Sequence, residues 1–517
     1  MLEEERKYQV PDDFVVPDLS PAVPADGRIT AQRPVRLVAT YFDTADLRLT
    51  RAGVSLRHRR GEREPWTVKL PTGATGVRHE VSRPGRRGSG VPRELAELVT
   101  AFTRGADLAP VAVLRTRRRR SAVHDAAGTL LAEIADDRVT VLDPADQPAG
   151  AFRELEVERA AGDSELLDRI GALLTGAGAD GGDFVPKHRR ALDLVVPTHV
   201  GTVGGEPDLV APTGLPADPT AGDVVTEAVR RGVDRLLRHD PLVRLRAPVP
   251  GHRTALQQMR VGCRRLRSDL RTFAPLLVPD WADPLRAELS WLAGVLGAAR
   301  DAEVLRGRLR RTAAADPLSP LDPATVDRLD AVLADRQEAA LAAVDAALRS
   351  PRYVALTDAL VLAARAPRLT PRAAEPAARV LPRLVRRPWR KLTGRKGGAG
   401  VSGLDPLGTD EQWHTVRKQA KRARYAVQAV APAVGGKAGK LAGALADAQR
   451  LLGEHQDAAV AADTWTAVVA DRPDDPHLAL TAGRLAERER VVVRRVRADF
   501  PQLWQRAERD RWTRWLR

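Results

Sequence analysis

The sequence predicts an α+β domain built on an antiparallel sheet, followed by an all-α domain assembled from a duplicated helical unit. Three observations carry this. Residues 1–196 hold short segments in which charged and apolar residues alternate with a period of two, the repeat of a strand. From Asp223 onward Leu, Ala and Val recur at spacings of three and four with Arg between them, the repeat of an amphipathic helix. A basic segment then occurs twice in the helical text at a fixed offset. The expected organisation is a first domain over 1–196, a Pro/Gly-rich linker over 197–222 and a helical domain over 223–512.

Each strand can be justified in order. In Met-Leu-Glu-Glu-Glu-Arg-Lys, read as a strand, Glu3, Glu5 and Lys7 share one face. Two carboxylates beside an ammonium make a poor core and a good site for a metal bound to an anion. Further strands are expected over Val35–Phe42, Val54–Arg60, Trp66–Leu70, Val111–Arg117, Thr129–Ala135 and Phe152–Arg159, with short helices over Pro92–Thr103 and Ser164–Leu174. Arg57 and Arg59 share a face, and Lys69 alternates out of its strand. Arg115, Arg117 and Arg119 do the same, although the Arg run beyond Arg117 could simply be solvated. Glu154, Glu156 and Glu158 alternate with Leu155 and Val157, which should pack on covering helices.

A sheet charged on one face can be merely one-sided and wet. Acidic strands at both ends with basic strands between them favour an enclosed polar lumen instead. Hard carboxylate oxygens there suit Mg²⁺ or Mn²⁺, and Arg and Lys suit phosphate oxygens.

Composition narrows the partners. Among 517 residues, 83 are Lys or Arg and 67 are Asp or Glu, a net charge of +16. That favours nucleic acid, anionic lipid or a phosphate polymer, though a general bias toward Arg and Ala could explain the excess. The single Cys263 excludes an internal disulfide framework and a cysteine zinc cluster. The acidic N-terminus is not a secretory signal and no apolar run reaches a membrane span, so a cytoplasmic protein with no membrane partner is expected.

The first domain resembles the CYTH family of triphosphate tunnel metalloenzymes. Glu3-x-Glu5-x-Lys7 is similar to its ExExK signature, Tyr41-Phe42-Asp43-Thr44 to its YFDT segment and Ser55-Leu56-Arg57-x-Arg59 to its sLRxR strand. Trp66-Thr67-Val68-Lys69-Leu70-Pro71 resembles the Lys strand, Ala135-Asp136-Asp137 an acidic strand end, and Glu154-Leu155-Glu156-Val157-Glu158 the late ExE strand. Lys187 stands where the family has a Ser-Lys pair, with Pro186 in place of the serine. The resemblance implies an eight-stranded antiparallel tunnel that binds a triphosphate end-on with Mg²⁺ or Mn²⁺. Members hydrolyse tripolyphosphate, thiamine triphosphate or RNA 5′-triphosphate, and some cyclise ATP. Glu3, Glu5 and Glu156 are the implied catalytic residues, and Glu3, Glu5, Glu154, Glu156 and Glu158 the implied metal ligands. Lys7, Arg57, Arg59, Lys69, Arg115, Arg117 and Lys187 are assigned to phosphate. No adenine-recognition feature is visible, so inorganic tripolyphosphate is the simplest substrate.

In the helical domain, Met259–Arg267 aligns with Val416–Arg424: Arg260, Arg264 and Arg267 map onto Arg417, Lys421 and Arg424 at an offset of 157 residues. Leu296-Gly297-x-x-Arg300-Asp301 pairs with Leu452-Gly453-x-x-Gln456-Asp457 at an offset of 156. Positions 260, 264, 267 and 271 fall within roughly 60° on a helix, and such stacked cations repel. Solvent, carboxylates such as Asp301 and Asp457, or a bound polyanion must offset this. Repetition of the stripe in both halves favours a basic channel over a solvated face.

This half resembles the CHAD domain, an all-α module associated with polyphosphate. Its VHxxRVxxRRLR pattern is kept around His414, Arg417, Lys418, Lys421, Arg422 and Arg424, whereas the first half carries Gln257 at the histidine position. Gln can donate a hydrogen bond to phosphate but cannot become cationic. The implied polyphosphate ligands are Arg260, Arg264, Arg267, Arg271, His414, Arg417, Lys418, Lys421, Arg424 and His455, and polyphosphate granules are a place where such a protein could reside. The expected function is metal-dependent hydrolysis of tripolyphosphate or related triphosphates, with polyphosphate held by the helical domain. The alternatives are a non-catalytic polyphosphate-binding or targeting protein and, less favoured because aromatics are only 4% of the chain, a nucleic-acid binder. Binding alone needs no paired carboxylates, which favours the enzyme.

Overall fold

In a computed structural model, which describes residues 2–72, 76–143, 146–181, 185–195, 211–248, 254–394, 400–470, 472 and 474–516, the chain divides into units Met1–Leu209 and Val210–Arg517. The first contains strands β1 (Leu2–Val10), β2 (Arg28–Ala31), β3 (Val35–Asp43), β4 (Ser55–Arg59), β5 (Trp66–Pro71), β6 (Val77–Arg83), β7 (Ala109–His124), β8 (Leu130–Leu142) and β9 (Pro148–Arg159). Eight of them close in the order β7-β3-β4-β5-β6-β1-β9-β8, with β8 pairing back to β7. All pairings are antiparallel, and closure leaves the barrel no free edge. The 16-residue β7 also pairs with the short β2 beyond the end of β3. β2 and β6 were not expected from the sequence, and β7 and β8 run longer than expected.

Helices α1 (Arg48–Arg51), α2 (Arg93–Leu98), α3 (Thr100–Thr103), α4 (Ser164–Gly176) and α5 (Lys187–Val195) complete the unit. Asp163 starts α4 by accepting from the Leu166 amide at 2.7 Å. The apolar side of α4, with Leu166, Leu167, Ile170 and Leu174, covers Tyr8, Ile134, Leu155 and Val157 on the outside of the barrel. Burying one such Leu contributes about 1.5–3 kcal/mol. The contact is close enough that a Cβ at Gly171 would collide with the Tyr8 hydroxyl. Leu155 and Val157 thus face outward against a helix, as expected, and the glutamates between them face inward.

The barrel interior is divided. At one end Ala39, Tyr41, Ala112, Leu114, Val139 and Val141 enclose Ala191 and Leu192 of α5, forming an apolar plug. The remaining lumen is polar. Helix α5, which was not expected from the sequence, delivers Lys187 into that lumen.

The second unit comprises α6 (Ala221–Arg244), α7 (Ala255–Thr272), α8 (Pro279–Ala313), α9 (Pro323–Arg349), α10 (Pro351–Arg365), α11 (Ala377–Thr393), α12 (Asp410–Val434), α13 (Gly436–Ala470), α14 (Pro476–Ala507) and α15 (Asp510–Thr513). The packing series α6–α7–α8–α9 is repeated by α11–α12–α13–α14, and α7 meets α12. The two basic segments lie on α7 and α12. Leu309 of α8, Leu329 and Leu333 of α9, Trp465 of α13 and Leu485 of α14 share one core, tying the halves together. A buried ion pair, Arg308 Nε on Glu489 at 2.7 Å, joins α8 to α14.

Of the expected linker, 197–210 lies outside the described residues. Residues 211–219 form no helix or strand, and α6 begins at Ala221 behind a capping box of Thr220 and Asp223. Among the described residues no helix is long and apolar enough to cross a membrane.

Candidate active site and candidate polyanion channel

The polar lumen has a volume of about 150 Å³ and is walled by β1, β3, β4, β5, β6, β7, β9 and the start of α5. Strand register brings its acids together, since Glu5 lies opposite Glu158 and Lys7 opposite Glu156. Glu3 accepts a hydrogen bond from Lys69, which also lies 3.3 Å from Glu80. The second carboxylate oxygen of Glu3, Oε2, is buried without a donor. Burial, only partly offset by Lys69, pushes the Glu3 carboxyl up. Burial and then the Glu3 charge push Glu158 up to about 7.

Even with Lys69 bound to Glu3 and Lys7 3.6 Å from Glu5, this wall keeps an open carboxylate oxygen on Glu3, which suits a hard divalent cation. Among the described residues no three His, Cys, Asp or Glu side chains converge as a ligand sphere. The fit rests on the chemistry of the donors and the open Glu3 oxygen.

Deeper in, the balance reverses. Both Glu156 oxygens are engaged: Lys7 donates to one, and Lys187 at 2.8 Å and Arg118 at 2.6 Å reach the other. Burial works against ionisation here, yet Lys187, Lys7 and Arg118 hold Glu156 well below the usual carboxylate range. Asp137 is likewise held down against burial by Lys187 and Arg118, whose guanidinium grips it at 2.8 and 2.6 Å. Glu154 lies behind, buried, 3.2 Å from Lys187 and accepting from Arg190 at 3.0 Å. Glu156 therefore holds cations in place with both oxygens taken, while Glu154 Oε1, buried without a hydrogen-bond donor, lies 3.2 Å from Lys187 and 3.8 Å from Lys7, a position that cations already occupy.

Opposite the acids stand Arg57 and Arg59, whose buried Nε groups have no acceptor. A phosphate oxygen would satisfy them. Burial opposes ionisation of Tyr41, but Arg57 and Arg59 draw its phenol below the ordinary value. Tyr41 stacks on His188 with centroids 5.4 Å apart. Burial and then Arg78 push His188 down to about 3, so the ring is neutral near pH 7.

Of the residues selected from sequence, Glu3, Glu5, Lys7, Arg57, Arg59, Lys69, Glu156, Glu158 and Lys187 line this one lumen. Arg115 and Arg117 do not: both are exposed on the outside of β7. Ala112, Leu114 and Thr116 occupy the inward positions, which sets the phase so that Arg118 enters the lumen. Val-Ala-Val-Leu at 111–114 is apolar on both faces, so the sequence there gave no phase. Sequence reasoning also missed Tyr41, Ser55, Arg78, Glu80 and His188 as lining residues, and Asp137 as a partner. The alternation Arg78-x-Glu80-x-Ser82 was the available signal for two of them.

In the second unit two cavities of about 760 and 700 Å³ share Arg264, Arg267, Ser290, His414, Arg417 and Lys421, so they adjoin along one basic wall, the candidate channel. Arg271 and Lys418 line the first part, Arg260 and Gln257 the second. Arg260 pairs with Asp301 at 3.2 Å, yet its buried Nε and that of Arg417 have no acceptor. Burial, then Arg264, Arg417 and Arg260, push Lys421 down to about 6. His414 hydrogen-bonds Gln456.

Two assignments fall outside the channel. Arg424 turns toward α13 and donates to Gln449 at 3.1 Å, and Arg422 takes its place on the wall. His455 is buried, stacked on Trp413 at 5.1 Å, and accepts from Arg497 Nε at 3.0 Å. Burial and Arg497 push it down to about 4, so it is a neutral packing residue.

Comparison with known proteins agrees with this division. Residues 1–186 match the CYTH domain and residues 227–466 the CHAD domain. An uncharacterized protein of Mycobacterium tuberculosis is 34% identical over 483 residues, covering 89% of this chain and 87% of the relative. The solved structure of PptA from Streptomyces chartreusis is 27% identical, covering 55% of this chain and 99% of that one, with a TM-score of 0.46. The CHAD domain from the plant Ricinus communis is 25% identical over 57% of this chain and 94% of its own, with a TM-score of 0.44.

Proposed function

This chain belongs to the CYTH and CHAD domain families, and from that premise we propose that its barrel hydrolyses inorganic tripolyphosphate or a related triphosphate while its helical channel retains polyphosphate. CYTH proteins act on phosphoanhydrides as triphosphatases or cyclases and generally use divalent metal ions. One observation carries the hydrolase reading: the same small lumen holds buried guanidinium donors without acceptors on Arg57 and Arg59 and a buried carboxylate oxygen without a donor on Glu3. A metal-loaded phosphate chain satisfies both.

Glu3, Glu5 and Glu158 would hold Mg²⁺ or Mn²⁺, which when bound neutralises charge on the phosphate oxygens. Arg57, Arg59 and Lys69 bind the terminal phosphoryl oxygens, where charge is spread in the transition state. Lys7, Lys187 and Arg118 are held by Glu156 and Asp137, so they are fixed before substrate arrives. Glu5 orients the attacking water and accepts its proton. The water oxygen bonds to the terminal phosphorus as the bridging P–O bond breaks, and pyrophosphate leaves with that electron pair. The apolar plug of α5 closes one end of the lumen, which favours a free chain end over a mid-chain linkage.

Glu5→Gln should lower Mg²⁺- or Mn²⁺-dependent phosphate release from tripolyphosphate by about 10²-fold or more and leave retention of long polyphosphate unchanged. A variant as active as wild type removes the catalytic assignment.

A further inference from the structure

We propose that α11 carries an external track along which a polyphosphate chain continues after leaving the channel. The proposal rests on the polyphosphate reading of that channel. Over Ala377–Thr393 the helix has six basic residues and no acidic one. Arg379, Arg383, Arg387, Arg390 and Lys391 are exposed, while Val380, Leu381, Val385, Trp389 and Leu392 are buried on the other side. At 100° per residue, Arg379, Arg383, Arg387 and Arg390 fall within roughly 80° of one another. Arg379 approaches Glu375 at 3.9 Å, but Arg383, Arg387, Arg390 and Lys391 have no carboxylate partner among the described residues. Like charges at these spacings destabilise a helix, so the stripe gains from an anion that lies along it.

The placement of the stripe identifies the anion. α11 packs on α12, which supplies Arg417, Lys421 and Arg422 to the channel wall. Arg271, Arg286 and Arg422 line one part of the channel. Besides burial, Arg422, Arg286, Arg267 and Arg387 depress the proton affinity of Arg271, so Arg387 is within electrostatic reach of the channel wall. Cationic side chains therefore continue from the channel wall toward α11, with Asp283, paired with Arg286, set among them. A linear polyanion that fills the channel meets Arg387 next, and the basic stripe from Arg379 to Lys391 offers it up to about 18 Å of further track. A compact anion would use the channel and ignore α11.

The test compares wild type, R383Q/R387Q/R390Q/K391Q and the channel variant R264Q/R417Q, all as full-length chains in EDTA with matched circular dichroism. Two ligands are titrated: long-chain polyphosphate, and an oligophosphate no longer than the roughly 17 Å spanned by Arg260–Arg271 on α7. The α11 variant should bind the long chain about tenfold more weakly, with a shallower salt dependence, and bind the short one within about twofold of wild type. An equal change for both lengths, or none, overturns the track and leaves the channel standing if R264Q/R417Q weakens both. If R264Q/R417Q weakens neither, the polyphosphate reading itself fails and the track with it. Loss of binding to duplex DNA or anionic vesicles, with the polyphosphate length ratio unchanged, assigns α11 to another polyanion and also overturns the proposal.

Discussion

On the proposed polyphosphate reading of the channel, Lys421 should make binding proton-linked. Free, its ammonium sits among Arg260, Arg264 and Arg417, and its proton affinity is pushed down to about 6, with Asp457 the opposing charge. Above pH 6 the free lysine is therefore mostly neutral. A phosphate chain in the channel reverses the sign of the local field, so the bound lysine is charged and each binding event takes up a proton. The sign follows: affinity falls as pH rises. One pH unit in the limiting regime is worth 1.36 kcal/mol, so from pH 6.5 to 8.5 the association constant should drop roughly 75-fold. Titration of long-chain polyphosphate by calorimetry at several pH values, in buffers of different ionisation heat, measures both slope and proton uptake. Lys421→Arg keeps the charge and moves its titration out of range, so its profile should be flat above pH 7. His414 lies on the same wall, and His414→Gln controls for it. A K421R profile as steep as wild type, or a flat wild-type profile, refutes the reasoning.

The remaining predictions concern register and packing. Arg118→Gln removes charge-assisted bonds to Asp137 and Glu156 and should reduce tripolyphosphate turnover roughly 10–100-fold, whereas R115Q/R117Q should not change it; the reverse order would put the wrong face of β7 inside. Glu489→Ala leaves buried Arg308 with only Glu454, at 3.1 Å, and Thr312 without its acceptor, and should cost about 1–3 kcal/mol in urea melts followed by tryptophan fluorescence. The double variant R308M/E489L should recover most of that loss, and a double variant as unstable as E489A would argue that the pair is not what holds α8 to α14.

Strand and helix periodicity were legible wherever one face was apolar and the other charged. Leu155 and Val157 between three glutamates fixed both the strand and its inward face, and β1 offered part of that contrast, with Leu2, Tyr8 and Val10 but also Glu4 and Arg6 on its other face. β7 did not, because its apolar stretch has no polar face and its arginines run consecutively; only closure against β3 and β8 sets which arginine points in. α5 was illegible for a different reason. Its Ala191 and Leu192 make sense only once a barrel exists for them to plug, and sequence periodicity does not report on a cavity made by distant strands. On α12 the sequence stripe was correct except in its last member, since Arg424 finds Gln449 on the neighbouring helix and Arg422, two residues earlier, is left to face the channel. His455 shows the limit of motif reading: a histidine two residues from Asp457 is placed by Trp413 and Arg497.

The two cationic sites differ in one respect that separates chemistry from retention. Both contain buried arginine Nε groups awaiting an acceptor, Arg57 and Arg59 in the barrel, Arg260 and Arg417 in the channel. In the channel the carboxylates already face arginine, Asp301 paired with Arg260 and Asp457 set against Arg417. An anion entering there gains donors and encounters no further chemistry. In the barrel, Glu3 keeps an open buried oxygen, and burial and then the Glu3 charge drive Glu158 toward neutrality, a wall to which a cation arriving with the phosphate would supply the missing positive charge. Raising Mg²⁺ should therefore tighten tripolyphosphate binding at the barrel and, by competing as a counterion, weaken long-chain binding at the channel.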